Sequence, residues 1–256
     1  MPAWNARNFL IRASLLRDRV PSFAEFPFTI PAIGGMDEIP FEQPVTFFVG
    51  ENGAGKSTLL EAIAVAWGLN PEGGSRNFNF STRASHSGLK TYLRLTRSAR
   101  RVRDSYFLRA ESYFNVATEI EVLDREPGGP KIIGSYGGRS LHEQSHGESF
   151  FALFVNRLRG DGLYLLDEPE AALSPSRQLS FLSRMHELVE SGSQFLIATH
   201  SPILMAYPLA SIYLMADGPP LLTPYRDTEH FTVTRSFLNR TEQMLDVLLD
   251  RPEGRS

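Results

Sequence analysis

Between positions 50 and 58 the chain reads Gly50-Glu51-Asn52-Gly53-Ala54-Gly55-Lys56-Ser57-Thr58. Three glycines let a backbone turn tightly and aim several N–H groups into one concavity. Lys56 adds a cation on a long stem, and Ser57 adds a hydroxyl that can bind a hard ion such as Mg2+. Donors, cation and hydroxyl together suit a polyphosphate, and the spacing Gly50-x4-Gly55-Lys56-Ser57 is the P-loop pattern.

Such a loop works only when neighbouring elements hold it. Val45-Thr46-Phe47-Phe48-Val49 precedes it, β-branched and aromatic, and reads as a buried strand. Leu59 to Trp67 follows with apolar residues at helical spacing, and Gly68 is a natural stop. Strand, loop and helix put the helix N-terminus, with its free donors and positive dipole end, against the same anion. All nine residues, 50–58, are therefore candidate nucleotide contacts.

A second chemical group closes another apolar run, Leu163-Tyr164-Leu165-Leu166-Asp167-Glu168-Pro169. Charge at the end of a buried strand is costly unless it is used. Asp167 is the candidate Mg2+ ligand beside Ser57. Glu168 is the candidate group that polarises an attacking water. The run Gln194-Phe195-Leu196-Ile197-Ala198-Thr199 delivers His200 in the same way. A neutral imidazole at the C-terminal edge of an open sheet can meet a phosphate or a catalytic water. Gln144-Ser145-His146-Gly147-Glu148-Ser149 precedes an amphipathic stretch, Glu148 to Arg159. Ser145 and Gly147 offer a second anion site at a helix start, a pattern also met in simple helix caps.

Stepping outward, residues 8–49 read as β-rich, with a first strand at Phe9–Leu15 and prolines at 21, 27, 31, 40 and 44 cutting short strands and turns. Residues 69–89 read as a long loop, 90–123 as mixed strand and helix, and 127–140 as flexible. Later, a helix is expected from Arg177 to Ser191 and a strand at Ser211–Met215. Strands without alternation, separated by helices, imply an α/β fold with a mostly parallel sheet covered on both faces.

Taken in order, Gly-Glu-Asn-Gly-Ala-Gly-Lys-Ser-Thr, Ser-His-Gly-Glu at 145–148, Leu-Leu-Asp-Glu-Pro-Glu at 165–170, Ala171-Ala172-Leu173-Ser174 and Thr199-His200-Ser201 resemble the Walker A, signature, Walker B, D-loop and H-loop of ABC-type ATPase heads. More narrowly the chain is similar to stand-alone bacterial predicted ATPases, which share Gly73-Gly74-Ser75-Arg76-Asn77-Phe78 and Ser140 to Ser149. Broader relatives are the heads of SMC, RecF-like and overcoming-lysogenization-type proteins. The resemblance implies a single ABC-type domain over 1–256. Its nucleotide-binding core would lie at about 8–68 and 160–240. A signature-bearing, small helical or mixed lobe would lie at about 70–159, beside an antiparallel β N-terminal portion. It also implies ATP and Mg2+ as ligands, and a homodimer in which Ser145 and Gly147 of one copy close over the ATP of the other. Departures are His146 where a glycine is usual, Ser174 where an aspartate is usual, and no glutamine for the Q-loop between 68 and 110. Asn77 and Asn79 are possible substitutes, and Phe9, Phe23 and Phe26 are candidates to stack on adenine.

Composition narrows the classes. The chain has 256 residues, 42% hydrophobic and 21% charged, with a net charge of −3, so no global field favours nucleic acid. It has no cysteine, which removes disulfides and thiolate metal sites. The first residues lack the apolar core of a signal peptide. No apolar run nears the roughly 18 residues of a membrane helix. A cytoplasmic protein without membrane insertion is expected. Lys90 to Arg109 carries seven basic residues and one acid, with Tyr92, Tyr106 and Phe107 among them. That segment is either a nucleic-acid patch or a solvated charged face. The function expected is an ATP-hydrolysing dimer that switches a nucleic-acid or protein partner. The alternatives are the nucleotide-binding subunit of a membrane transporter and a slow-turnover ATP-gated module.

Overall fold

The computed structural model describes residues 7–71, 73, 74, 88–109 and 146–250, with single positions at 118, 124 and 134. Ser145, Asn77, Asn79 and the stretch 127–140 lie outside the described residues.

The strands arise where apolar runs are bounded by turn residues. β1 (Leu10–Leu15), β2 (Glu38–Pro40) and β4 (Leu93–Arg97) form an antiparallel sheet in the order β2-β1-β4. The main sheet contains β3 (Val45–Val49), β5 (Asp104–Arg109), β6 (Gly162–Asp167), β7 (Gln194–Ala198), β8 (Ala210–Leu214) and β9 (Leu221–Leu222). Its order is β5-β6-β7-β3-β8-β9, parallel throughout except for the β8–β9 pair. The expected α/β fold with a mostly parallel sheet is observed. β4 and β5 both fall within the span 70–159, yet β4 pairs with β1 and β5 with β6.

Every residue of β3, β6 and β7 is buried, because both sheet faces are covered. The two-residue period of a strand sends alternate side chains to opposite faces. Val45, Phe47, Tyr164, Leu166, Phe195 and Ile197 join one core, with Phe150 and Phe154 of α3 (His146–Asn156) and Phe181 of α4 (Pro175–Glu190). Phe154 and Phe181 stack there, 4.1 Å between ring centroids. Phe48, Leu163, Leu165, Leu196 and Ala198 join the other core, with Leu59, Leu60 and Ile63 of α2 (Lys56–Trp67). The antiparallel sheet packs on that second side through Phe9, Leu10, Ala13 and Ile39.

One polar residue ties the sheets together. Gln194 is fully buried. Its Oε1 accepts from the backbone N–H groups of Phe9 and Leu10, both at 2.9 Å, and its Nε2 donates to Leu10 O at 2.8 Å. A short first helix, α1 (Pro31–Gly34), precedes β2, and α5 (Pro202–Met205) follows β7. The last described elements are α6 (Glu229–Asn239) and α7 (Thr241–Leu248), neither of which has a buried residue. Among the described residues, no helix is long and apolar enough to cross a membrane.

Candidate functional site

Parallel pairing brings three strand ends to one edge. Phe48 of β3 lies opposite Ala198 of β7, and Asp167 of β6 lies opposite Ala198 from the other side. The glycine loop, the carboxylates and His200 therefore emerge together, where ligands of open α/β sheets bind.

The loop needs its glycines. Gly50, Gly53 and Gly55 have φ of 144°, 84° and 93°, the left-handed region that side chains strain to enter. A Cβ on Gly50 would lie 2.1 Å from Met215 O. Gly55 is the N-cap of α2 and gives no side-chain cap, so the first-turn N–H groups are left for another acceptor. Lys56 is buried, 4% exposed, and its Nζ donates to Gly50 O at 2.8 Å and Glu51 O at 2.9 Å. Burial lowers its pKa, while Glu168, Asp167, Glu51 and Glu170 push the other way. Among the described ion pairs none involves Lys56. A buried cation held by carbonyls alone, beside an uncapped helix start, fits a bound phosphate.

The metal candidates meet directly. Ser57 Oγ donates to Asp167 Oδ1 at 2.8 Å. Among the described residues, no group of three or more acidic, histidine or cysteine side chains is arranged to hold a metal ion by itself. One hydroxyl and one carboxylate fit Mg2+, which usually keeps waters and phosphate oxygens as its other ligands.

Glu168 sits just past the strand with φ 50° and ψ 52°, a left-handed conformation uncommon for a residue with a side chain. Its N–H still donates to Ala198 O at 2.9 Å. Its Oε1 lies 3.6 Å from His200 Nε2. The His200 backbone N–H donates to Glu170 Oε1 at 2.5 Å, and His200 Nδ1 faces His230 Nε2 at 3.1 Å. Burial lowers the His200 pKa, helped by Lys56 and His230 and opposed by Glu168 and Glu51. Burial also raises the Glu170 carboxyl, against the hydrogen bonds it accepts.

Three contributors escape a linear reading. Glu170 shows a sequence signal only as the second acid of Glu168-Pro169-Glu170. His230 gives none, since it arrives on α6 from 30 residues beyond His200. Arg109 closes the basic segment in sequence, but register places it opposite Asp167. Its guanidinium lies 2.7 Å from Glu61 Oε2, and its Nε lies 3.5 Å from Asp167 Oδ2.

Elsewhere in the basic segment Arg97 and Arg100 are engaged within the chain, while Lys90, Arg94, Arg101 and Arg103 are exposed. Arg97 covers the Trp67 ring at 4.2 Å and donates to Ala66 O. Arg100 pairs with Asp161 at 2.9 Å, lies over Phe9 at 4.4 Å and donates to Arg7 O. Tyr106 and Phe107 are fully buried, and Tyr92 packs edge-on against Phe28. Two of the three aromatics of the segment thus belong to the core, because β5 is a strand of the main sheet, and Tyr92 is half-buried. Phe9, a candidate adenine contact, is also fully buried; Phe23 and Phe26 are exposed.

Ser145 lies outside the described residues. Gly147 is placed at the start of α3, where a Cβ would lie 2.7 Å from Ala172 O. Ser174 takes the N-cap of α4, its Oγ accepting from Arg177 N at 3.4 Å. A cleft of about 570 Å3 opens beside the glycine loop, lined by Gly50 to Ala54, Leu214 to Asp217 and, from α6, Glu229, His230 and Thr232.

A glycine loop on the end of one parallel strand, a carboxylate on the end of a nearby one and a helix behind the loop define a P-loop nucleotide-binding domain. Two family profiles match the chain: "AAA domain" over residues 33–136, and "AAA domain, putative AbiEii toxin, Type IV TA system" over residues 99–206. With the fold, they support a P-loop ATPase domain of the ABC/AAA type. The hemin import ATP-binding protein HmuV of Rhodopseudomonas palustris is 28% identical over 197 residues, which is 67% of this chain and 73% of that protein. The thiamine import ATP-binding protein ThiQ of Cereibacter sphaeroides is 29% identical over 216 residues, 69% of this chain and 86% of that protein. The ABC multidrug transporter SNQ2 of Candida glabrata is 28% identical over 196 residues, 68% of this chain but 13% of that protein. Among solved structures, a nucleotide-free ATP-binding cassette from an ABC transporter matches with a TM-score of 0.50 and 18% identity, covering 92% of this chain and 98% of that one. Another ATP-binding cassette of an ABC transporter has a TM-score of 0.50 and 20% identity, covering 84% of this chain and 90% of that one.

Proposed function

We propose that this chain hydrolyses ATP with Mg2+ and that two copies close face to face over two ATP molecules. The observation that carries the reading is the meeting of Ser57, Asp167, Glu168 and His200 at the sheet edge beside the glycine loop.

The N–H groups of residues 50–58 and the start of α2 bind the phosphates. Lys56 exchanges the carbonyls of Gly50 and Glu51 for the β and γ phosphate oxygens. Ser57 and Asp167 hold Mg2+, which when bound offsets charge on the phosphates. Glu168 accepts a proton from water as the water oxygen bonds to the γ-phosphorus. The bond to the bridging oxygen breaks, and ADP leaves with its electron pair. His200 contacts the γ-phosphate side of the site through Nε2. Ser145 and Gly147 of the second copy cover that same phosphate, so hydrolysis removes what joins the two copies.

The test is to size Glu168→Gln by light scattering with and without Mg-ATP. The variant should bind ATP, lose most turnover and accumulate as a dimer. If it stays monomeric at saturating nucleotide, the dimer reading fails; if it hydrolyses at the wild-type rate, the role of Glu168 fails.

A second reading is favoured by the import ATP-binding proteins among the relatives. In it the chain is the cytoplasmic, energy-supplying subunit of a membrane transporter. Co-purification with a membrane protein from detergent extracts supports it. A switch acting on a soluble partner predicts none. In a third reading ATP is held with little turnover, and a measured kcat near zero would select it.

A further inference from the structure

We infer that His230 is a positioning residue for His200: it holds the His200 ring in the tautomer whose proton sits on Nε2, facing Glu168 and the phosphate site. The inference rests on the ATPase reading and adds a residue to that site.

The geometry leaves few alternatives. His200 Nδ1 and His230 Nε2 lie 3.1 Å apart, a hydrogen-bond distance. Between two neutral imidazoles that contact holds one proton, and its owner fixes both tautomers. If His230 Nε2 donates, His200 must carry its own proton on Nε2. If His200 Nδ1 donates instead, its Nε2 becomes a bare lone pair facing the Glu168 carboxylate 3.6 Å away. Two electron-rich atoms repel, and phosphate oxygens at the same place would add to the repulsion. The charge around Nε2 thus selects the first arrangement. Nε2 is shielded from solvent and has no hydrogen-bond partner among the described residues. A shielded donor without an acceptor points to an acceptor that arrives with the ligand.

His230 is itself held in place. Thr228, fully buried, caps α6, its Oγ1 accepting from Phe231 N at 3.4 Å and donating to Tyr225 O at 2.8 Å. Tyr225 in turn donates its hydroxyl to Pro202 O at 2.8 Å, two residues past His200. Its ring packs against Phe231, 4.7 Å between centroids. The start of α6 is therefore tied to the segment that carries His200. Glu170 fixes the His200 backbone, and His230 removes the remaining freedom of the ring. This is how an outer partner of a functional histidine sets which nitrogen is presented.

The experiment uses the full chain, labelled with 15N-histidine and free of nucleotide, with His230→Phe and His230→Gln beside the wild type. In the wild type, side-chain 1H–15N correlations should show His200 as the Nε2–H tautomer. In His230→Phe that signature should give way to a tautomer mixture. With ATP, kcat should fall about 10- to 100-fold, as expected for a misplaced contact at the reacting phosphate. KM should stay within about twofold, because phosphate binding by the glycine loop is untouched. His230→Gln, whose amide can still donate to Nδ1, should recover most of kcat. An Nδ1–H tautomer in the wild type, or wild-type kcat in a folded His230→Phe, overturns the inference. Absence of ATP turnover in the wild type overturns the ATPase reading instead, and the wild-type tautomer still decides the role of His230.

Discussion

Lys56 shows how much one side chain can reveal. It is buried, positive and bonded to two backbone carbonyls of its own loop. Such a charge is stable only if the loop is built for an anion. Lys56→Ala should fold and lose ATP affinity by roughly 10- to 100-fold or more, the worth of a charged hydrogen bond; equilibrium binding of a fluorescent ATP analogue reads this directly. His200 and His230 make a second case. Burial is the leading cause that lowers both imidazoles below their ordinary range, with Lys56 acting in the same sense. A depressed pKa means that the unfolded chain takes up protons first as pH falls. The stability from keeping the pair neutral is therefore fully present above the ordinary imidazole value, about 6.5, and is lost as pH drops through the lowered one. Thermal melts between pH 7.5 and 5 should fall more steeply for the wild type than for His230→Gln. Equal slopes would remove the pair from the acid response. Lys56, Asp167, Glu168 and His200 were legible because each sits in a short motif on a strand end. Arg109 and His230 were not, because strand register brings in the first and a returning helix the second; Glu170 stands in the motif, but its bond to the His200 N–H appears only where two strand ends meet.

At the scale of elements, legibility followed burial on both faces. β3, β6 and β7 read clearly as continuous apolar runs. β4 and β5 did not: β4 is half exposed, and β5 begins and ends in charged residues whose pairing with Arg157 and Glu61 a linear reading cannot see. The helix expected at Glu148–Arg159 begins at His146 and ends at Asn156. Beyond Met215 the sequence predicts no element, since α6 and α7 bury no residue and show no core face. Gln194 joins the two sheets through three buried backbone bonds. Gln194→Leu would leave those groups without partners, at about 1–3 kcal/mol each. Denaturant unfolding should show a loss of several kcal/mol; a change below about 1 kcal/mol would mean the sheets are held mainly by apolar packing. Phe154→Ala, which empties the stack on Phe181, should cost about 3–5 kcal/mol by the same measurement.

For the whole molecule, the decisive question is whether one copy completes the site of another. Ser145→Arg places a long cation where the second copy would meet the γ-phosphate. It should bind nucleotide as a monomer and fail to hydrolyse, which paired sizing and phosphate-release measurements can show. Intact turnover in that variant would mean each copy works alone. One contact inside the chain then acquires mechanical meaning. Gly147 starts α3 with no room for even a methyl group against Ala172 O, in the turn that also carries Glu170. Gly147→Ala or any larger substitution would wedge α3 away from the turn at 169–172, so this one missing side chain sets the spacing between the signature segment and Glu170.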